Sequence, residues 1–197
     1  MTSTVPVPPH EIPTAFTRAP LDWLPWLEPL AEAELTPRHI AGLVDAARVK
    51  SPYFRLLARD PEALEARTRT DKDIFYNPDG GLPRAERELA AAAASRLNGC
   101  IYCASVHARF AVTYSKREAE VDLLLAEGVK IELGPRWNAV VAAATALTCI
   151  PMTFGSSHVQ ALRDTGLDDL ALLDVISAAA FFNWANRLML SLGEPAV

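Results

Sequence analysis

The chain has 197 residues, half of them apolar, and a net charge of −5 at pH 7. That length fits one domain with enough apolar material for a sizeable core, and a mildly acidic chain without a basic patch is not expected to bind nucleic acid. The longest apolar stretch, 139–151, is too short to span a bilayer. The first residues lack the basic start and apolar core of a secretory signal, so we expect a cytoplasmic protein that does not bind membranes.

Residues 1–35 are predicted to form an extended N-terminal arm followed by short helical turns. Five prolines fall within the first twenty residues, and Pro25 and Pro29 interrupt the apolar, tryptophan-containing stretch that follows. We interpret the arm as a segment able to lie over a neighbouring subunit. Residues 36–197 are predicted to form a single all-helical domain.

The predicted fold class is all-α, a compact bundle of about eight helices without a sheet. No segment alternates apolar and polar residues as a half-buried strand does. The first helix is expected to run to about Lys50 and the last to about Leu192. Capping residues, prolines and the Asn98-Gly99 break place helix starts at Thr36-Pro37, Pro52, Asp60-Pro61, Pro83, Cys100, Ser115, Pro135, Ser156 or Ser157, and Asp168.

The motif that carries chemistry is Cys-x-x-Cys-x-x-x-His, at Cys100, Cys103 and His107. At about 100° per residue, these three side chains fall within an arc of roughly 60° on one helix. Unpaired N–H groups and the positive dipole end at the helix start stabilise a thiolate. His107, one turn past Cys103, is placed to accept its proton. The motif therefore predicts reversible dithiol chemistry.

A base of this kind needs a partner to orient it, and Glu88 is the candidate. Glu88 lies eleven residues before Gly99, and His107 lies eight residues after it. Two antiparallel helices joined at this break would bring both side chains to the same height. The third cysteine, Cys149, is predicted to be a small buried hydrophobic residue.

Two effects favour different cysteines of the motif as the one with the lower pKa. The helix dipole acts most strongly on Cys100, whereas His107 favours ionisation of Cys103. A base acting at hydrogen-bond range should outweigh a dipole that an exposed helix end partly screens. We therefore expect Cys103 to have the lower pKa.

Residues 81–110, GLPRAERELAAAAASRLNGCIYCASVHARF, resemble the alkylhydroperoxidase D and carboxymuconolactone decarboxylase superfamily. The resemblance rests on a glutamate twelve residues before the first cysteine, an Asn-Gly break and the Cys-x-x-Cys-x-x-x-His spacing. The stretch 181–193, FFNWANRLMLSLG, is similar to the tail helix of the peroxidase-related branch, and the first eighty residues match more loosely.

The resemblance implies an all-helical homo-oligomer (a dimer, trimer or hexamer) that reduces hydroperoxides. The resemblance implies that Cys103 is the thiolate that attacks the peroxide and that Cys100 is the resolving thiol. His107 and Glu88 would form the proton relay. Tyr102 stands where the type member has a further relay histidine, so Tyr102 is a possible relay residue that can donate a hydrogen bond but is a poor base at pH 7.

The expected partners are a hydroperoxide substrate, organic because the surroundings are apolar, and a dithiol reductant, either a dihydrolipoyl protein or a thioredoxin-like one. We expect no cofactor and no metal.

Three alternative functions remain. A decarboxylase of the carboxymuconolactone type has no use for a dithiol. A helical redox sensor or interaction protein would oxidise without turnover. A zinc site would ordinarily draw a second ligand pair from a distant segment, and the sequence has no second Cys or His pair.

Overall fold

The computed structural model describes residues 9–197. Within that range the predicted all-α bundle is confirmed, with nine α-helices rather than about eight and two short 3₁₀ turns at Glu32–Glu34 and Ala46–Lys50. The helices are α1 Pro37–Leu43, α2 Pro52–Leu57, α3 Pro61–Tyr76, α4 Arg84–Leu97, α5 Ile101–Ser115, α6 Glu118–Glu127, α7 Pro135–Thr148, α8 Ser156–Asp164 and α9 Asp169–Leu192. None of these helices is long and apolar enough to cross a membrane.

Side-chain caps explain where several helices begin. The carboxylate of Asp60 accepts from the N–H of Ala63 at the start of α3, and that of Asp168 accepts from Ala171 at the start of α9. The first helix is shorter than predicted. It ends at Leu43 because Val44 takes φ 62°, outside the helical region, and the chain continues to Lys50 only as a 3₁₀ turn.

Two short strands correct the expectation that the chain contains no sheet. Strand β1, Asp22–Pro25, pairs antiparallel with β2, Gly193–Ala196. The paired segments lie at opposite ends of the sequence and each has four residues, so no local sequence pattern predicts these strands. The pairing buries Trp23. Gly193 permits it, because a Cβ there would overlap the Trp23 ring and the carbonyl oxygen of Leu24.

The described part of the predicted arm is fixed to its own chain. Residues 1–8 lie outside the described residues. Farther along, the Arg18 guanidinium pairs with Glu118 and Asp122 on α6, and the Arg96 guanidinium stacks over the Phe16 ring at 4.1 Å. Residues 9–20 therefore lie against the domain without helical structure.

Helix α4 is the centre of the bundle and positions the motif. Its residues Leu89 to Ala94 are fully buried, and it packs against α5, α7 and α9. Five consecutive alanines allow these neighbouring helices to approach closely. The burial of these alanines supplies much of the apolar contact between α4 and its neighbours. A tight turn at Gly99, with φ 79°, returns the chain as α5 alongside α4. The start of α5 is thereby held against the most buried part of the fold.

Candidate active site

A cavity of about 190 Å³ lies between α2, α3, α4, α5 and α9. Four residues of the predicted site line it: Cys103, His107, Glu88 and Tyr102. Aromatic side chains form a large part of the remaining wall, namely Tyr53, Phe54, Phe75, Tyr76, Phe110 and Phe182. Such a cavity suits a ligand with an apolar body and few polar groups.

Cys100 lines a second cavity, of about 200 Å³, on the other flank of the motif. Trp23 and Gly193 of the strand pair and Pro13 of the arm form part of its wall. Tyr102 lines both cavities. The structure therefore brings the two cysteines together as neighbours but presents them to different spaces.

Glu88 and His107 meet across the interface between α4 and α5, as the sequence spacing predicts. Glu88 Oε2 lies 2.5 Å from His107 Nδ1, and the side chain of Glu88 is 1% exposed. Arg84 Nε donates to the other oxygen, Oε1, at 3.0 Å. Because an ionised carboxylate only accepts, we assign the proton of this contact to Nδ1 of His107. That tautomer leaves Nε2 as the ring nitrogen that can accept a proton.

Two phenylalanines hold the imidazole of His107 in place. Its ring centroid lies 3.9 Å from that of Phe182 in an edge-to-face arrangement and 5.2 Å from that of Phe75. Together with the bond to Glu88, these contacts fix the orientation of the ring. A base held in this way loses little entropy when it takes up or releases a proton at the cavity.

The pKa of Cys100 is lowered. The largest cause is the Cys103 thiol, which donates to the Cys100 thiolate and outweighs the opposing effect of burial. The Cys103 backbone N–H and the Asn186 side chain lower the pKa further. Cys100 is the N-cap residue of α5, and its side chain makes no capping hydrogen bond. The donors named above lower the pKa because they stabilise the ionised form of Cys100.

The pKa of Cys103 is raised, chiefly because its thiol is the donor to Cys100 and also because Cys103 is buried. The direction is opposite to the expectation that Cys103 has the lower pKa. After one of the two adjacent thiols has ionised, the pair shares the remaining proton, and the helix start favours the negative charge on the first cysteine. The role of each cysteine in a reaction is a separate question from this order of ionisation.

The pKa of Tyr102 bears on its possible role in the relay. Burial raises its pKa, and the negative charge of an ionised Cys103 raises it further. The phenol therefore stays protonated at neutral pH and does not act as a base. Tyr102 is the only residue of the predicted site that lines both cavities among residues 9–197.

Sequence reasoning missed Asn186, a fully buried amide on α9. Its Nδ2 donates to Ser95 Oγ at 3.0 Å, its Oδ1 accepts from Asn98 at 3.0 Å, and the side chain also acts on both cysteines. The available signal was an amide within the apolar run FFNWANRLML, since a buried polar group needs partners.

Two further findings concern metal-ligating side chains and the third cysteine, Cys149. Across the described range, no group of three or more His, Cys, Asp or Glu side chains is arranged to hold a metal ion. Cys149 is half-buried at the end of α7, less enclosed than the sequence predicted.

The shifted thiol pKa values give a direct prediction. The ultraviolet absorbance of thiolate should show one step as the pH rises through the lowered pKa of Cys100, below the range of an ordinary thiol. Cys103→Ala removes the largest cause of the shift and should move this step to higher pH. Cys103→Ser keeps a hydroxyl donor and should move it less. Cys149→Ser is the control and should leave the step in place. An unchanged step in Cys103→Ala would contradict the assignment.

Residues 61–146 match the model of the carboxymuconolactone decarboxylase family. This range includes Glu88, both motif cysteines and His107. A comparison with curated protein sequences finds no match.

Several solved structures share the fold. A peroxidase-related protein with an alkylhydroperoxidase D core from Ralstonia eutropha JMP134 is 24% identical, with a TM-score of 0.70 over 83% of this chain and 87% of that one. A peroxidase-related protein from Silicibacter sp. TM1040 is 24% identical, with a TM-score of 0.64 over 73% and 75%. The debrominase Bmp8 is 17% identical, with a TM-score of 0.66 over 83% and 88%. At these identities the similarity establishes a common architecture.

Proposed function

We propose that this chain, whose residues 61–146 match the model of the carboxymuconolactone decarboxylase family and whose fold is shared by an alkylhydroperoxidase D core, reduces organic hydroperoxides through a dithiol–disulfide cycle at Cys103 and Cys100. One observation carries the proposal. Cys103 lines the same cavity as His107, and the imidazole of His107 is held at 2.5 Å by a buried carboxylate, Glu88. A thiol, a base and the group that orients the base thus line one cavity.

In the first step, Nε2 of His107 takes the proton of the Cys103 thiol. The thiolate attacks one oxygen of the hydroperoxide, so that an S–O bond forms and the O–O bond breaks. The departing alkoxide takes the proton from His107 and leaves as an alcohol, and Cys103 becomes a sulfenic acid. The negative charge of Glu88 stabilises the imidazolium that exists during the transfer.

In the second step, Cys100 attacks the sulfur of the Cys103 sulfenic acid. An S–S bond forms and the S–O bond breaks, and the leaving hydroxide takes up the proton that Cys100 released on ionising and departs as water. The lowered pKa of Cys100 suits this role, because the thiolate is the attacking form. An external dithiol, dihydrolipoyl or thioredoxin-like, then reduces the disulfide by exchange and is itself oxidised. The second cavity, at Cys100, offers the reductant a route separate from that of the peroxide.

Assembly into a homo-oligomer is part of the proposal. Large apolar side chains exposed on the single chain include Ile150, Met152, Leu173 and Trp184. Exposed apolar area of this kind is typical of surfaces that pair with another copy.

The cycle is tested by counting thiols after cumene hydroperoxide is added to the reduced protein. Wild type should lose two thiols and regain both with a generic dithiol, with one equivalent of alcohol formed per cycle. No thiol loss would refute the proposal. Loss of two thiols without repeated turnover, whichever dithiol is supplied, would instead identify a redox sensor.

A further inference from the structure

Arg67 on α3 is a buried guanidinium with hydrogen-bonding capacity to spare. The residue is 9% exposed and lines the same cavity as Cys103 and His107. Its Nε and Nη1 atoms are buried and have no hydrogen-bond partner among residues 9–197. Nη1 lies 3.3 Å from Asp71 Oδ2, close enough for an ion pair but not aligned for a hydrogen bond.

The neighbouring Arg48 behaves differently, although it lines the same cavity. Its Nη1 donates to Thr68 Oγ1 at 3.1 Å, and its Nη2 donates to Asp71 Oδ2 at 3.0 Å. Asp71 is thus already engaged by Arg48. Beside its ion pair with Asp71, Arg67 contacts aromatic faces: its guanidinium carbon lies 5.4 Å from the Phe54 ring centroid, which Arg48 also contacts at 4.5 Å, and 5.2 Å from that of Phe181. These contacts position the charge but satisfy none of its N–H donors.

The charges around the cavity leave one cation in excess. Arg48 and Arg67 face a single carboxylate, Asp71. The other carboxylate of the lining, Glu88, is compensated by Arg84 and by the hydrogen bond to His107. A buried cation whose donors are unpaired is unfavourable until an anion meets it. The excess of one charge matches a monoanion.

We propose that Arg67 binds the carboxylate of an apolar, aromatic-bodied hydroperoxide while the peroxide end meets Cys103. This inference rests on the proposed peroxidase function and names its substrate class. The planar guanidinium fork fits a carboxylate with two parallel hydrogen bonds. The aromatic walls suit the body of such an acid, and a phosphate dianion would bring more charge than the single excess cation balances.

Binding is measured first, without turnover, by calorimetry with phenylacetate and its neutral analogue phenylacetamide on the reduced protein. Wild type should bind the acid at least tenfold more tightly than the amide. Arg67→Met should lose this preference. Arg69→Met, on the same helix but exposed and paired with Glu65, is the matched control and should keep it. Asp71→Asn removes the competing carboxylate and should tighten acid binding, a gain that a misfolded variant cannot produce.

The second measurement compares kcat/KM for cumene hydroperoxide with that for its para-carboxy derivative. The ratio of acid to neutral substrate should fall about tenfold or more in Arg67→Met and stay unchanged in Arg69→Met. Equal binding of phenylacetate and phenylacetamide by wild type would overturn the inference, as would an unaltered preference in Arg67→Met. The calorimetry needs no catalysis. It therefore tests carboxylate binding by Arg67 even if the protein does not reduce hydroperoxides.

Discussion

Cys103→Ser is expected to abolish hydroperoxide turnover, lowering kcat/KM by about 10³-fold or more, to the uncatalysed background. The serine hydroxyl fills nearly the same volume in the wall of the cavity, but its oxygen cannot be oxidised to an equivalent of sulfenic acid. The remaining thiol, Cys100, lines the other cavity. The measurement is steady-state peroxide consumption with a generic dithiol as reductant.

Cys100→Ser should give a contrasting result that identifies the two roles. The variant should consume one equivalent of hydroperoxide and stop, with a sulfenic acid on Cys103 that dimedone traps and mass spectrometry locates. Cys149→Ser, at the end of α7, is the control and should turn over normally. If Cys100→Ser rather than Cys103→Ser prevents the first oxidation, the low-pKa Cys100 is the attacking thiol and the roles are exchanged.

Glu88→Gln is expected to lower kcat/KM by about 10²- to 10⁴-fold, the range typical of general acid–base catalysis. The amide keeps the size of the side chain and can still accept from Nδ1 of His107. It lacks the negative charge that stabilises the imidazolium while a proton passes from the Cys103 thiol to the alkoxide. The step most affected should be the first oxidation, which stopped-flow measurement of thiol loss isolates from reduction by the dithiol.

The matched control for Glu88→Gln is Glu86→Gln. Glu86 lies on the same helix, is also buried, and pairs with Arg136, with 2.6 Å between Arg136 Nε and Glu86 Oε1. It lies outside the cavity lining, so its variant should lower the melting temperature and leave kcat/KM unchanged. If both variants lose stability and neither loses activity, Glu88 has a structural role alone.

Much of the fold follows from local sequence signals. Prolines and capping carboxylates such as Asp60 and Asp168 act within one turn of the backbone they terminate, and the structure places α3 and α9 where they predict. The separation of Glu88 and His107 from Gly99 also predicts their meeting, because one tight turn fixes the register of two adjacent helices. In each case the physical cause lies within a short stretch of chain.

The features that sequence reasoning missed depend on contacts between distant segments. Arg67 is one of two arginines on α3, and only the packing of Phe54 and Phe181 around it shows that its charge is buried. The order of ionisation depends on which thiol donates to the other and on Asn186, which comes from α9. The periodicity of a single helix contains neither kind of information.

The pairing of β1 with β2 closes a loop that contains almost the whole chain. Closing so long a loop costs conformational entropy that only a packed bundle can offset, so this pairing should form last during folding and separate first during partial opening. Cys100 lies beside it, whereas the hydrogen-bonded pair of Glu88 and His107 lies against the alanine-rich centre. Amide protons near the two chain ends should therefore exchange with solvent well before those of α4, and the wall that the strand pair gives to the Cys100 cavity should open more often than the wall around His107.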